Sequence, residues 1–368
     1  MNQNTLSSQQ IAFLLLIFLL GSALIFIPET YAGRDAWLAT ILASLSGWYI
    51  LYAIISLQNK FPGISIVKLS ELSLGKIAGT ILNLLLFWAI FIVLLTFVFD
   101  LVVFLQITYS ALSSVFLVSI IILAAAYCLY KGVNTIGRLG ELFIWITLFF
   151  TILGFLLAMP LMNSSNLTPV LANWKSLIAG TYYGADWPAT ELIIFAFFLP
   201  MVNDLKEKQK QIYWWYFMGV VLLVLKNAQI LSILGMYKAS ILRFPLFEVF
   251  RFITIADFQR VELFFFILWF IIGFMVILIY YQGLLLGLKE MLILKDYKVL
   301  ILPVGICIVV FNIYMFPSDI EYLATGIRYI PFFSLPVHIL YPTIILIATK
   351  LRQKTVAQAI NSLGTVQK

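Results

Sequence analysis

Long apolar runs separated by short polar clusters set the pattern of this chain. Windows without Asp, Glu, Lys or Arg extend over Ala36–Asn59, Ile77–Phe99, Leu101–Tyr130, Leu142–Trp174, Leu263–Leu288, Val299–Ser318 and Tyr329–Thr349. Each reaches the roughly 20 residues that a helix needs to cross the hydrocarbon core of a bilayer. The windows lack the alternation of barrel strands, and backbone groups in lipid have to be paired within the segment, so helices remain. The run Ile11–Ile27 has no basic stretch before it, its first charged side chain being Glu29, and no small-x-small pattern after it. It therefore reads as a retained span and not as a cleaved leader. Two further runs, Ser176–Asn203 and Ile212–Tyr237, are apolar apart from a few isolated polar residues. The pattern thus predicts ten membrane helices in a single polytopic domain, 1–368.

Ten spans divide five and five around the polar linker Asn163–Pro169, giving one repeat over about 9–162 and a second over about 176–351, with a tail at 352–368. An odd number of spans in each half makes the two halves inverted relative to each other. The first span of each half is interrupted. Span 1 carries Gly21-Ser22-Ala23 and is followed by Pro28, and span 6 carries Trp187-Pro188-Ala189-Thr190-Glu191. Proline removes a helical donor and clashes with the preceding turn, and an acid at the membrane centre costs about 2.5 to 3.5 kcal/mol on insertion scales. Matching interruptions in two halves are a pointer to a transporter-type inverted repeat with a site at the membrane midplane. Taken alone, small residues in a membrane helix such as span 1 more often serve close helix packing than ligand binding.

Composition agrees: 63% of residues are hydrophobic and 11% charged, with a mean hydropathy of +1.06, far outside soluble-domain usage. The net charge of +7 does not imply a nucleic-acid partner, because it is sorted by loop. With both termini placed in the cytoplasm, fifteen of the 23 lysines and arginines lie inside, seven outside, and Lys226 within a span, as the positive-inside rule expects. Four of the outside charges fall in the segment 239–260 and its immediate edge, where aromatic and charged residues interleave. That segment predicts an amphipathic helix on the outer face, with its charges paired locally to Glu248, Asp257 and Glu262, or a lid over an outward cavity. Cys128 and Cys307 are far apart and His338 stands alone, so neither a disulfide nor a metal site is expected. With no phosphate-cradling loop, triad pattern or paired-carboxylate arrangement, the chain does not read as an enzyme, and no cofactor is expected.

Several polar residues inside spans call for partners. Thr96 and Asp100 share one face of span 3; Asp100 reads as a protonatable coupling group or as a residue at a watery helix end. Arg138 and Glu141 lead into span 5, three apart, and read as an edge ion pair or a gate latch. Lys226, near the middle of span 7, requires an acidic or carbonyl partner, with Glu191 and Asp100 as the acids to consider, unless it snorkels. Val276 and Tyr280 lie one turn apart on span 8, and the tyrosine hydroxyl needs a partner if buried; the competing reading for Tyr280 and Tyr281 is anchoring at the membrane interface.

These residues carry a resemblance. Gly-Ser in a first span, Arg138-x-Gly-Glu141 entering a fifth, Pro188-x-x-Glu191 followed by Phe-Leu-Pro200 in a sixth, and the stretch Phe250–Glu262 before a Trp-bearing eighth together resemble the B subunit of spore germinant receptors. That is the endospore germination permease family, within the amino acid, polyamine and organocation transporter superfamily. The resemblance implies an all-α LeuT-like five-plus-five fold with discontinuous helices 1 and 6, in the inner membrane of a spore with both termini on the core side. It also implies A and C receptor subunits as partners and a small-molecule nutrient, often an amino acid, as ligand. The chain departs from the family pattern at Ala189-Thr190, where a glycine is expected before the glutamate.

On this reading Gly21, Ser22 and Ala23 unwind to offer N–H groups to a ligand carboxylate. Pro188 frees carbonyls that, with Thr190 or Glu191, receive an ammonium, while Thr96, Val276 and Tyr280 shape the side-chain pocket. Asp100, Lys226, Arg138 and Glu141 are candidates for coupling or gating. The function expected is a nutrient-recognising receptor subunit that signals through a ligand-induced conformational change. The alternatives are an autonomous proton-coupled amino-acid transporter working through Glu191 or Asp100 and an ion-conducting subunit. For Glu191 itself the competing role is an ion pair or hydrogen bond holding spans 6 and 7 together.

Overall fold

The computed structural model describes residues 5–108, 110–253, 261–315, 322 and 327–366. Among them the ordered elements are almost entirely helical. In chain order they are α1 (Ser8–Ala23), α2 (Ala36–Lys60), α3 (Ile66–Leu74), α4 (Lys76–Thr108), α5 (Ser114–Tyr130), α6 (Val133–Ala158) and α7 (Trp174–Gly184), then α8 (Leu205–Ile241), α9 (Pro245–Arg251), α10 (Glu262–Met291), α11 (Lys298–Met315), α12 (Ile327–Leu351) and a tail helix, Gln353–Val366. Seven helical stretches among the described residues are long and apolar enough to cross a membrane: Pro28–Lys60, Lys76–Ile107, Val133–Leu161, Leu205–Ile241, Glu262–Met291, Lys298–Met315 and Arg328–Leu351. The other three predicted spans fall on the shorter helices α1 and α5 and on the pieces of the sixth.

Helix α1 is the axle of the bundle. It is apolar around its whole circumference, which a helix tolerates only when it is enclosed, and every residue from Ile11 to Leu20 is buried between α6, α8 and α10. Its first turn is closed by a reciprocal capping box in which Ser7 accepts from Gln10 N–H and the Gln10 side chain accepts from Ser7 N–H. Gly137 and Gly140 of α6 let α1 approach: a Cβ at Gly140 would meet the Leu14 side chain at 2.8 Å and one at Gly137 would meet Leu6 and Gln10. By contrast α5, α6 and α11 leave one apolar face outward, through residues such as Leu123, Trp145, Phe149, Leu302 and Ile306, as helices in contact with lipid do.

The start of α1 is tied to the end of the broken sixth span. Leu6 N–H donates to Met201 O at 3.1 Å, Ser8 N–H donates to Asp204 Oδ1 at 2.7 Å, and Lys208 pairs with Asp204 Oδ2 at 3.0 Å. Partial burial works to raise the Asp204 carboxyl, but the Ser8 N–H and the Lys208 ammonium outweigh it and hold the group below its ordinary range. A depressed carboxyl stabilises the fold above its unfolded pKa and loses that contribution as pH falls through the folded value. Asp204→Asn is therefore expected to lower stability by about 1 kcal/mol at neutral pH, with the difference from wild type vanishing in acid below the usual carboxylate range. Thermal unfolding of the detergent-solubilised protein across that pH range measures it.

Three expectations need correction. Gly21, Ser22 and Ala23 are not unwound: they form the last turn of α1, and the break lies at 24–27, ahead of the 3-10 turn Pro28–Asp35. Leucine and isoleucine at the break give no local signal, and it is Pro28 that stops the helix from continuing. The segment 239–260 does not lie on the bundle as one amphipathic helix. Among the described residues its helical part after α8 is α9, and Pro245, Leu246, Phe247, Val249 and Phe250 are buried in the protein. Glu248 pairs locally with Arg251 at 3.0 Å as expected, whereas Arg243 reaches across to α4; residues 254–260, with Asp257 and Arg260, lie outside the described residues. Arg138 and Glu141 make no ion pair with each other among the described residues, and both are exposed. In that motif it is Gly140, pressed against α1, that has a structural task.

Candidate functional site

The sixth span is interrupted where the sequence places Pro188. Helix α7 ends at Gly184, a single π turn covers Ala185–Ala189 with Trp187 in an extended conformation (φ −123, ψ 115), and a 3-10 stretch follows over Thr190–Phe197. The Trp187–Pro188 peptide is cis. Glycines at positions 180 and 184 bring the first break against this one. A Cβ at Gly180 would meet Ala32 N at 2.7 Å, and one at Gly184 would meet the Glu29 side chain at 2.6 Å, so only glycine permits the approach.

Between the two breaks lies an aromatic shell. Phe26 touches Trp187 (ring centroids 5.0 Å) and Trp269 (6.5 Å), and Phe97 of α4 touches both Trp187 (6.0 Å) and Tyr280 of α10 (5.8 Å). Phe18 of α1 closes on Tyr280 at 5.2 Å. Inside and beside this shell stand polar atoms without hydrogen-bond partners: Glu191 Oε2, Tyr280 Oη, Trp187 Nε1, Trp269 Nε1 and Ser22 Oγ. Glu191 is 4% exposed and Tyr280 1%. The two groups face each other as electrostatic and hydrogen-bonding neighbours, but not at the distance and angle of a full hydrogen bond. Buried polar groups are ordinarily satisfied, so such a group of unsatisfied donors and acceptors is suited to a polar ligand. A cavity of about 440 Å³ adjoins the breaks, lined by Phe26, Ile27, Pro28, Trp187 and Arg243 among others, within the size range of small-molecule sites. Neither Glu191 nor Tyr280 is among its lining residues; Phe26 and Trp187 belong both to its wall and to the aromatic shell.

The remaining sequence-predicted residues take other places. Gly21 is a packing residue: a Cβ there would meet Val276 Cγ2 at 2.5 Å and Ile272 O at 2.8 Å, so Val276 is spent on closing α10 against α1. Thr96 returns its hydroxyl to its own helix at Val93 O, 2.7 Å. Thr190 is buried and lies 3.4 Å from both Asp186 O and His338 Nδ1. Asp100, fully buried, accepts from Arg243 Nη2 at 2.8 Å and from Tyr322 Oη at 3.0 Å, and the Arg243 guanidinium lies over the rings of Phe99, Phe244 and Tyr322. Lys226 reaches neither Glu191 nor Asp100, the acids considered for it; its ammonium donates to Ala23 O at 2.8 Å and Phe26 O at 2.5 Å. Tyr280 and Tyr281 are buried, which excludes interface anchoring, and Tyr281 donates to Ile301 O.

Against known proteins, a family model described as spore germination protein matches residues 5–320. The chain belongs to that family. It is 24% identical over 371 residues to spore germination protein KB of Bacillus subtilis (strain 168), an alignment covering 96% of this chain and 97% of the relative. Among solved structures, the crystal structure of a mutant of the Eremococcus coleocola manganese transporter aligns with 93% of this chain and 78% of its own length, at 13% identity and a TM-score of 0.46. The resemblance read from the residues, to the germinant receptor B-type permeases of this family, thus holds over nearly the whole length.

Within this spore germination permease, four buried polar residues matter that the sequence pattern does not single out as site residues. Asp186 stands directly before Trp187; it accepts from Ser334 Oγ at 2.7 Å and lies 3.9 Å from His338 Nδ1. Ser334 and His338 belong to α12, and nothing local in that helix points to the sixth span. Asp186 does carry a signal, since it is an acid inside the same interrupted run. Glu29, buried at the far side of the first break, receives Asn227 Nδ2 at 2.9 Å; it follows Pro28, where the pattern predicts a loop. No three His, Cys, Asp or Glu side chains among the described residues come together as a metal site.

Proposed function

We propose that this spore germination protein is the nutrient-recognising, transporter-like subunit of a germinant receptor, in a LeuT-like five-plus-five arrangement in the inner spore membrane. A small nutrient, an amino acid in the first instance, binds between the two helix breaks. The observation that carries this reading is the set of unsatisfied buried atoms around Glu191 and Tyr280, enclosed by Phe26, Phe97, Trp187 and Trp269. The Glu191 carboxylate suits an ammonium or hydroxyl donor, and the indole N–H groups suit an acceptor. Thr190 and Pro188 shape the same break. The N–H groups of Gly21–Ala23 are part of α1 and do not serve a carboxylate in this arrangement.

Signalling follows from where the shell sits. Ligand that orders Phe26 and Trp187 differently in two arrangements of the bundle shifts the balance between them, and only that difference in affinity does work. Asp100, Arg243 and Tyr322 tie α4 to the linker before α9 beside the cavity, as a closure on the outer side, and receptor A and C subunits would read the change.

The test is a thermal-shift and binding screen of amino acids, sugars and nucleosides against the purified chain, followed by Tyr280→Phe. Saturable binding of at least one compound, weakened by about fivefold in Tyr280→Phe from loss of one hydrogen bond of roughly 1 kcal/mol, supports the reading. Binding that is indifferent to Tyr280 and Glu191 alike overturns the placement, and uptake by the isolated chain that collapses with the proton gradient makes it a transporter instead.

A further inference from the structure

Helix α1 stops at Ala23, so the carbonyls that a further turn would have engaged are left facing the protein interior, at the negative end of the helix dipole. In broken membrane helices such freed carbonyls are where a coupling cation such as sodium is held. Here the place is taken. The Lys226 ammonium, 4% exposed, lies 2.8 Å from Ala23 O and 2.5 Å from Phe26 O. The nearby acid is Glu29, an electrostatic partner of Lys226, held by Asn227 Nδ2, which also bonds Thr40 Oγ1 of α2 at 2.8 Å. Glu29 is wedged against Gly184 at the end of α7. The lysine therefore joins α8, the first break and, through the neighbouring Asn227, α2.

We propose that the first helix break is a monovalent-cation site whose cation is built into the chain as the Lys226 ammonium, with Ala23 O and Phe26 O as its oxygen ligands and the Glu29 carboxylate as a nearby counter-charge. Two consequences follow. The intact protein needs no free sodium to hold the break in shape, and the truncated side chain leaves a vacancy that sodium or a small alkylammonium ion fills. The first consequence, carried over to the nutrient response, rests on the function proposed above. The second does not, because it is read on the isolated chain without nutrient.

The experiment compares thermal unfolding of wild type and Lys226→Ala in choline, sodium and ethylammonium chloride at one ionic strength. Wild type is expected to unfold at the same temperature in all three. Lys226→Ala is expected to unfold several degrees lower in choline and to recover at least half of the loss, saturably, in ethylammonium or sodium. An equal loss in all three salts overturns the proposal, as does a wild type stabilised by sodium over choline. Should Lys226→Ala not accumulate, Lys226→Arg, which keeps a cation, and Lys226→Met, which keeps only the volume, decide the matter. The proposal expects the arginine variant to be the more stable, and a methionine variant as stable as wild type sinks it. A nutrient response absent in sodium and sodium-free media alike while the salt rescue succeeds would overturn the functional reading alone.

Discussion

Glu191→Gln is expected to weaken nutrient binding by on the order of tenfold to a hundredfold while leaving the ligand-free protein as stable as wild type or more so. The first part follows from losing a charge-assisted hydrogen bond, about 1.5 to 3 kcal/mol, where the neutral amide does not replace the carboxylate as acceptor for the ligand, at tenfold per 1.4 kcal/mol. The second follows from the surroundings. Glu191 Oε2 has no hydrogen-bond partner, Lys226 is engaged with the carbonyls of Ala23 and Phe26, and the nearby acid Asp186 repels it. An unpaired buried carboxyl costs free energy, so neutralising it does not loosen the fold. Binding measured by calorimetry or thermal shift, with the unfolding temperature of the unliganded variant alongside, checks both. Lower stability with unchanged affinity would restore the competing role, in which Glu191 holds spans 6 and 7 together.

Asp100→Ala should do the opposite: unfold the protein earlier, by about 3 to 5 kcal/mol, the usual result of removing one partner from a buried ion pair. Asp100 is fully buried, and its two carboxylate oxygens are divided between Arg243 and Tyr322. The guanidinium is 11% exposed and flanked by three rings, so water recovers little of the lost interaction. The double variant Asp100→Leu with Arg243→Met is expected to regain most of the stability, because well-packed apolar residues replace a buried pair at little cost. If Asp100 were instead a free proton carrier, Asp100→Asn would spare stability and alter only the pH dependence of the response. Denaturation curves for the single and double variants separate the two.

The candidate site was legible in its anomalies and not in its connections. Pro188 beside Glu191 was readable as a break with a costly acid because each residue violates, on its own, what a membrane helix accepts. The counterpart in span 1 was readable as a break but displaced by a few residues: Gly21 has the look of a weak point and is the point of closest packing against Ile272 and Val276. A glycine has the same appearance in a sequence whether it permits bending or permits contact. Lys226 announced that it needed a partner without naming one, and the partners are 203 and 200 positions away in the chain.

By itself the sequence determined that the chain is a helical membrane protein, roughly where its spans lie, that the first and sixth are interrupted, and which family it belongs to. Those properties depend on runs of apolar residues and on local breakers, which act within a few turns of helix and so leave a pattern in the order of residues. Only the tertiary structure decided that Lys226 closes the first break, that Asp100 belongs to Arg243 and Tyr322, that Asp186 and His338 meet, and that Glu191 and Tyr280 are left unsatisfied. The physical reason is that a buried charge is answered by whatever group the packing of distant helices brings within about 3 Å, and helical periodicity reports the face a residue occupies, not what lies opposite it.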